Sequence, residues 1–298
     1  MSPEVIDRYV KAGRTVKEIR SRIVNLVREG ESFLDICVDI EETTRKKGCE
    51  PAFPCNIGVN EVAAHYTASI DDQNVIPADS VVKLDLGAHV DGYVADSAVT
   101  VILNPEYEPM LIAAEEALDR ALKIISPGTK IRDVSMTIQR TIVAYGYQPI
   151  SNLCGHGIKP YIVHASPSIP NVASPFLYGK LESDNVYAIE PFVTTKDAAA
   201  VVVDGPCGNI YHLTKLKRPK DENCEKLFDR IYAAYRTLPF TTRWILKETS
   251  NEASRSLERL LETRHVEAYS VFYERTGKPV VQAEHSILLT EKDVILLT

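Results

Sequence analysis

No apolar run in the sequence approaches the roughly 20 residues that a membrane-spanning helix needs, and the opening MSPEVIDRYVKAGR lacks the apolar core of a signal peptide. The six cysteines (Cys37, Cys49, Cys55, Cys154, Cys207 and Cys224) contain no Cys-x-x-Cys pair and no dense framework. That excludes a disulfide-stapled scaffold and fits reduced thiols in a cytoplasmic protein. Positive charge is not in surplus either: the formal net charge is −7, which argues against a nucleic-acid-binding face spanning the molecule and against a specific nucleic-acid partner. What remains is a globular composition, 45% hydrophobic and 25% charged, in 298 residues, enough for one large domain or two ordinary ones.

The stretch from Val81 to Leu103, VVKLDLGAHVDGYVADSAVTVIL, reads as a β-hairpin. Two β-branched, apolar runs meet at Asp91-Gly92, a pair suited to the positive φ angles of a two-residue type I′ turn. That turn sets Asp85 opposite Ala98 and Asp96 opposite Gly87. Side chains alternate along a strand, so Asp85 and Asp96 project from the same face as diagonal neighbours. Taken alone, two strand aspartates form a solvated polar face. If they are buried, they repel unless a proton or a cation sits between them.

The rest of the chain decides between those readings. Apolar residues at near-helical spacing predict a helix from Pro3 to about Arg28, and a second after a Ser32 N-cap, with Phe33, Ile36, Cys37 and Ile40 on one face. A loop-rich stretch, PAFPCNIGVNEVAAH, leads to the hairpin. Helices follow from Glu108 to Ile125 and from Ile131 to Tyr145. Gly30, Asp35, Gly48 and Pro51 recur as Gly128, Asp133, Gly146 and Pro149, each displaced by 98 positions. Further on, Asp79, Val81, Leu84 and Asp85 recur as Asp184, Val186, Ile189 and Glu190, displaced by 105. His65 matches His164 to within a residue. These coincidences, all in one order, predict two related halves about a pseudo-twofold axis. The second hairpin should then carry a counterpart of Asp96, and Glu284 in VQAEHSILLT is the candidate. Reaching it requires a connection 83 residues longer than the first. Its contents, two amphipathic helical stretches (Glu222 to Arg236 and Asn251 to Arg264) among prolines and glycines, predict a small helical subdomain over 207–267, inserted in a body formed by 1–206 and 268–298.

Four carboxylates, Asp85, Asp96, Glu190 and Glu284, thus converge on the axis. Such a cluster cannot stay ionised in a cleft without counter-charge. Divalent metal supplies it, and four carboxylates are enough to hold and bridge two ions about 3.5–4 Å apart. His156, flanked by glycines in CGHGI, is the best candidate for a nitrogen ligand, because glycine lets the backbone approach closely. One imidazole and four carboxylates make a hard, oxygen-rich site open to Co, Mn, Fe(II) or Zn.

The order D-x10-D, GHGI, IEPF and QAEH, with NEVAAHYT upstream, resembles the methionine aminopeptidases of the pita-bread (creatinase/aminopeptidase) fold, an α+β fold of two pseudo-twofold-related halves. The match covers essentially the whole chain. The helical insertion before the last glutamate resembles the type II branch, and the short stretch before the catalytic half resembles its archaeal members. The resemblance implies an enzyme that removes the initiator methionine from nascent proteins and peptides with a small second residue, acting as a cytoplasmic monomer, with the ribosome among its partners and no membrane. It implies that Asp85 ligates one metal, His156 and Glu190 the other, and that Asp96 and Glu284 bridge. The nucleophile would be a water between the two metals, with Glu190 carrying its proton to the departing amine. His65 would contact the scissile amide, His164 would polarise its carbonyl, and Phe53 and Val163 would line the methionine pocket. His156 and His164 would be some 26 Å apart on a straight strand, so a bend at Gly157 and Pro160 is needed. His89, His212, His265 and His285 are expected to be non-catalytic, and Cys154 to be a buried structural thiol. Its place just before GHGI, where the family more often has a different small residue, bears only on the sensitivity of the site to thiol reagents. GHGI and the paired acids also occur in prolidases and aminopeptidase P, so an X-Pro peptidase is the alternative enzyme. A non-catalytic pita-bread binding protein is the third reading, although such relatives typically lose metal ligands.

Overall fold

The structure, a computed structural model, describes residues 1–245 and 251–298. Helices α1 (Pro3–Ile23) and α2 (Phe33–Lys46) lay their apolar faces on the first hairpin. Ser32 caps α2 as its position predicts, its hydroxyl accepting from the Asp35 N–H at 3.2 Å. Helix α1 ends at Ile23 rather than near Arg28, because its last turn tightens. Asn25 N–H bonds Arg22 O at 3.2 Å and Leu26 N–H bonds Ile23 O at 2.8 Å, the i→i+3 pattern of a helix end. Val27 is nonetheless buried in the same core, so the apolar period runs on past the helix. The stretch expected to be loop-rich is mostly strand: Asn56–Val59 and Val62–Ala64 flank a turn through Asn60.

The hairpin strands Val81–Val90 and Tyr93–Ile102 pair in the register that the Asp-Gly turn predicts, Asp85 with Ala98 and Gly87 with Asp96. In the second half α3 (Glu108–Ile124) and α4 (Ile131–Ala144) pack on the hairpin that starts with Asn185–Ile189. The repeat holds at the level of single pairs. Pro51 pairs with Ala88 and Pro149 with Val193. Ser32 bridges Val75, and Lys130 bridges Lys180. Asp79 and Asp184 both turn the chain at positive φ, +50° and +58°.

The return strand of the second hairpin corrects one expectation. Ile189 pairs with His285, and Phe192 with Gln282. This single register passes Glu190 opposite Glu284, as Asp85 passes opposite Ala98. Glu284 therefore stands at the place of Ala98, and Gln282 at the place of Asp96. The face is the same, because residues two apart on a strand share it. A clasp across the axis repeats the assignment. The Ser286 hydroxyl accepts from Asp96 N–H at 2.8 Å and donates to Asp96 O at 2.7 Å. The Thr100 hydroxyl accepts from Gln282 N–H at 2.9 Å and donates to Gln282 O at 2.7 Å. Each hairpin thus closes the other's open edge with a hydroxyl.

The long connection begins and ends as strand. Val202–Leu213 pairs with Val266–Glu274, which also pairs with Val62–Ala64. The boundaries expected at Cys207 and Glu267 fall inside these strands. Pro206 and Gly208 lie where the pairing register shifts, which is where a strand tolerates such residues. The helical part comprises α5 (Glu222–Tyr235), α6 (Thr242–Ile245) and α7 (Asn251–Glu262) around its own apolar cluster. Residues 246–250 of the expected helical subdomain lie outside the described residues. Among the described residues no helix is long and apolar enough to cross a membrane.

The clasp sets a stability expectation. Ser286 is fully buried, and Ser286→Ala removes the partner of two backbone groups of Asp96. A urea titration should show a loss of about 1–3 kcal/mol.

Candidate metal centre and active site

Five side chains meet where the two hairpins cross: Asp85 and Asp96 from the first, Glu190 and Glu284 from the second, and His156 from the strand Cys154–Lys159. All five line one cavity of about 330 Å³. The two glycines around His156 have a steric cause. A Cβ on Gly155 would lie 2.3 Å from Ala188 O, and one on Gly157 would lie 2.5 Å from Ser166 O. Only glycine lets neighbouring strands pass this close. The ring's Nδ1 lies 3.2 Å from Gly157 O. A carbonyl can only accept, so Nδ1 carries the proton and Nε2 presents a lone pair. That lone pair faces Glu190 Oε1 at 3.4 Å and Asp96 Oδ2 at 3.8 Å.

Such a cluster is unfavourable as it stands. Burial, with the Asp85 charge second, holds the Asp96 carboxyl well above the usual carboxylate range. Burial does the same to Glu190, reinforced by Asp85 and Asp96, and to Glu284, reinforced by Asp96, Glu190 and Asp85. Asp85 is pushed up to about 7 by burial. His156 is driven the other way, down to about 3, by burial and by the neighbouring His164. The imidazole is therefore neutral at pH 7 and offers a lone pair rather than a charge. Asp85 Oδ1, Asp96 Oδ1 and Glu284 Oε1 are buried without a hydrogen-bond partner. Ligand atoms of Asp96, His156 and Glu284 lie within 4.8 Å of one another. Lone pairs converging on one point, with buried oxygens left unpaired, fit a divalent cation.

The hairpin turn at Pro160 and Tyr161 supplies the required bend, with Lys159 pairing with Ile162. The rings of His156 and His164 come to 4.6 Å between centroids, and His65 lies 6.2 Å from His164. Burial and His164 push His65 down to about 3, and burial with His212 pushes His164 down to about 4. His65 Nδ1 donates to Ser270 O at 3.3 Å, which leaves its Nε2 as an acceptor. Phe53 and Val163 line the same cavity, and both also belong to a buried apolar cluster. His285 points to the opposite face, where its Nδ1 lies 2.9 Å from Arg20 and 3.0 Å from the Thr298 hydroxyl.

A model of metallopeptidase family M24 matches residues 7–291. The chain belongs to family M24. It is 41% identical to the methionine aminopeptidase of Methanocaldococcus jannaschii over all of both chains. It is 37% identical to that of Pyrococcus horikoshii, over 98% of this chain and 99% of the relative. Among solved structures, a thermophilic Arx1 superposes with a TM-score of 0.85 at 15% identity, covering 100% of this chain and 91% of that one. The Thermotoga maritima methionine aminopeptidase gives 0.71 at 23%, covering 100% and 98%. Likeness at these identities speaks for the fold, which is the pita-bread fold of M24 peptidases.

Several residues of this M24 cavity are not legible as site residues in the sequence. Ile210, Pro239, Tyr269 and Phe272 come from the long connection and wall the cavity. Tyr269 stands 5.0 Å from His65 and 4.8 Å from His212, ring to ring. No local pattern marks them. Gln282 is different, since it lies inside QAEH. Its amide donates to Glu190 Oε2 and Glu284 Oε2, each at 3.4 Å, and its place at the twofold mate of Asp96 is the signal that was available. Cys154 also borders the cavity, its thiol pushed up by burial and by Glu190.

The raised carboxylates give a pH expectation. Acids whose folded pKa lies above the unfolded value hold protons that a cation must displace. The rise in melting temperature on adding Mn²⁺ to chelator-treated protein should therefore grow from pH 6 to pH 8, across the value near 7 of Asp85. In Asp96→Asn most of that rise should vanish at both pH values.

Proposed function

We propose that this chain is a type II methionine aminopeptidase that hydrolyses the N-terminal methionine from nascent proteins and peptides with a small second residue. The observation that carries the reading is the neutral His156 Nε2 facing Glu190 and Asp96, in a cavity lined also by Asp85 and Glu284 and by His65 and His164. The full-length relatives named methionine aminopeptidases support it. In this reading Asp85 would hold one divalent ion, His156 and Glu190 a second, and Asp96 and Glu284 would bridge. Bound there, such ions supply Lewis-acid polarisation and bring the pKa of a water from 15.7 toward about 7.

The chain's own residues do the rest. The apolar wall with Phe53 and Val163 receives the methionine side chain. His65, with its Nδ1 proton given to Ser270 O, offers Nε2 to the N–H of the scissile amide. His164, neutral at pH 7, can donate a ring N–H to the carbonyl oxygen. Glu190 takes the proton of the attacking water and delivers it to the nitrogen of the departing amine as the C–N bond breaks. Of the conceivable substrates, the one named by the full-length relatives is preferred over X-Pro peptides.

The test is a pair of substrates offered to protein loaded with Mn, Fe(II), Co or Zn in turn. Met-Ala-Ser should be cleaved to methionine and Ala-Ser. Hydrolysis of X-Pro peptides without Met-Ala-Ser cleavage would overturn the proposal in favour of a prolidase-like enzyme. Glu190→Gln should lower kcat by about 10²–10⁴-fold, and Asp96→Ala or His156→Ala should abolish turnover. Survival of full activity in either would contradict the metal centre drawn here.

A further inference from the structure

The long connection that interrupts the second hairpin reaches back to the backbone that carries His65. His65 itself sits at φ +66°, a left-handed conformation that a non-glycine residue keeps only where its surroundings over-determine it. The residues after it are gripped from several sides. Tyr66 O accepts from Ile57 N–H at 2.8 Å, and the Thr67 hydroxyl donates to Cys55 O at 2.7 Å. Arg243, in α6 of the connection, donates through Nη1 to Ala68 O and to the Thr67 hydroxyl. Asn209 donates to Ala68 O at 3.3 Å and is itself fixed by the Thr242 hydroxyl at 2.6 Å.

The arginine is anchored in turn. Its Nη2 is paired with Glu41 of α2, and Arg243 is 5% and Glu41 3% exposed. Glu41 also accepts from Trp244 Nε1–H at 2.7 Å and from Cys55 N–H at 3.2 Å. A buried ion pair contributes little net stability over apolar packing of the same volume. What this one does is hold two cavity-lining segments, 53–56 and 65–68, at one fixed point supplied by the connection.

We propose that Arg243 and Asn209 are positioning residues: through them the connection fixes Thr67 and Ala68, and so sets the His65 ring at the scissile bond. The inference rests on the role given to His65 in the proposed function. It makes the connection part of the catalytic apparatus rather than an ornament of its rim. The arginine acts at a distance, with no atom on the substrate.

The test is a double-mutant cycle with Met-Ala-Ser as substrate. Glu41→Gln combined with Arg243→Met removes the grip without leaving one buried charge unpaired. In the parent, kcat should fall about 10- to 100-fold, the scale on which a displacement of about 1 Å costs rate, with KM changing less and bound-metal content unchanged. In a His65→Ala background the same pair of changes should cost less than about twofold, because coupled residues are non-additive. An equal loss in both backgrounds would overturn the positioning role. If that variant does not fold, Asn209→Ala in the same two backgrounds reads the second donor to Ala68 O, with the same non-additivity expected and additivity again contradicting. Parental kcat in His65→Ala alone would instead overturn the assignment of His65 on which the inference rests.

Discussion

The crowding of four acids into one cavity organises this molecule, with burial first and the repulsion of neighbouring acids second in raising Asp96, Glu190 and Glu284. Asp85, Asp96, Glu190 and Glu284 are brought together by two hairpins on the wall of one cavity, and each carboxyl is raised from its ordinary range. A fold selected only for stability would not collect four such groups around the lone pair of a neutral imidazole. The cost falls away when cations occupy the centre, so the same arrangement that weakens the metal-free protein gives it affinity for metal. Neighbouring features serve that centre. Gly155 and Gly157 admit strand backbones that a side chain would exclude. Hydroxyls of Ser286 and Thr100 lock the two hairpins together next to the acids they carry. Gln282 gives Glu190 and Glu284 a common donor.

The pseudo-twofold relation explains why so much of this was legible in the sequence. Asp91-Gly92 fixes the first hairpin's register on its own, since a two-residue turn leaves no freedom in pairing. The register carries Asp85 and Asp96 to one face, and the displaced repeat carries the argument to Glu190. Beyond that point local patterns weaken. The second hairpin breaks at Pro191, and its return strand follows a long excursion. Whether Glu284 or Gln282 is the mate of Asp96 is therefore settled only by the strand pairs themselves. The two residues share a face, so Glu284 reaches the cluster of acids under either alignment. Helix α1 misled for a related reason. The apolar period continues to Val27, which stays in the core after the helix has ended.

The long connection was the least legible part. Its helices announce themselves by amphipathic spacing, whereas its two strands pair with register shifts around Pro206 and Gly208 and carry no such pattern, so the boundaries expected at Cys207 and Glu267 cut through them. Those strands bring Tyr269 and Phe272 beside His65. Contacts between positions two hundred residues apart follow from topology, and no periodicity encodes them. The M24 body thus supplies the acids and histidines, and the connection supplies much of the wall around them.

The central claim is that the crossed hairpins form a centre for two divalent ions, bound in exchange for protons. Calorimetric titration of Mn²⁺ into chelator-treated protein, repeated in buffers of different ionisation enthalpy, tests it most directly. The account predicts two ions per chain and a binding heat that varies with the buffer, as displaced carboxyl protons pass to it. A single ion per chain, or a heat that does not depend on the buffer, would contradict it.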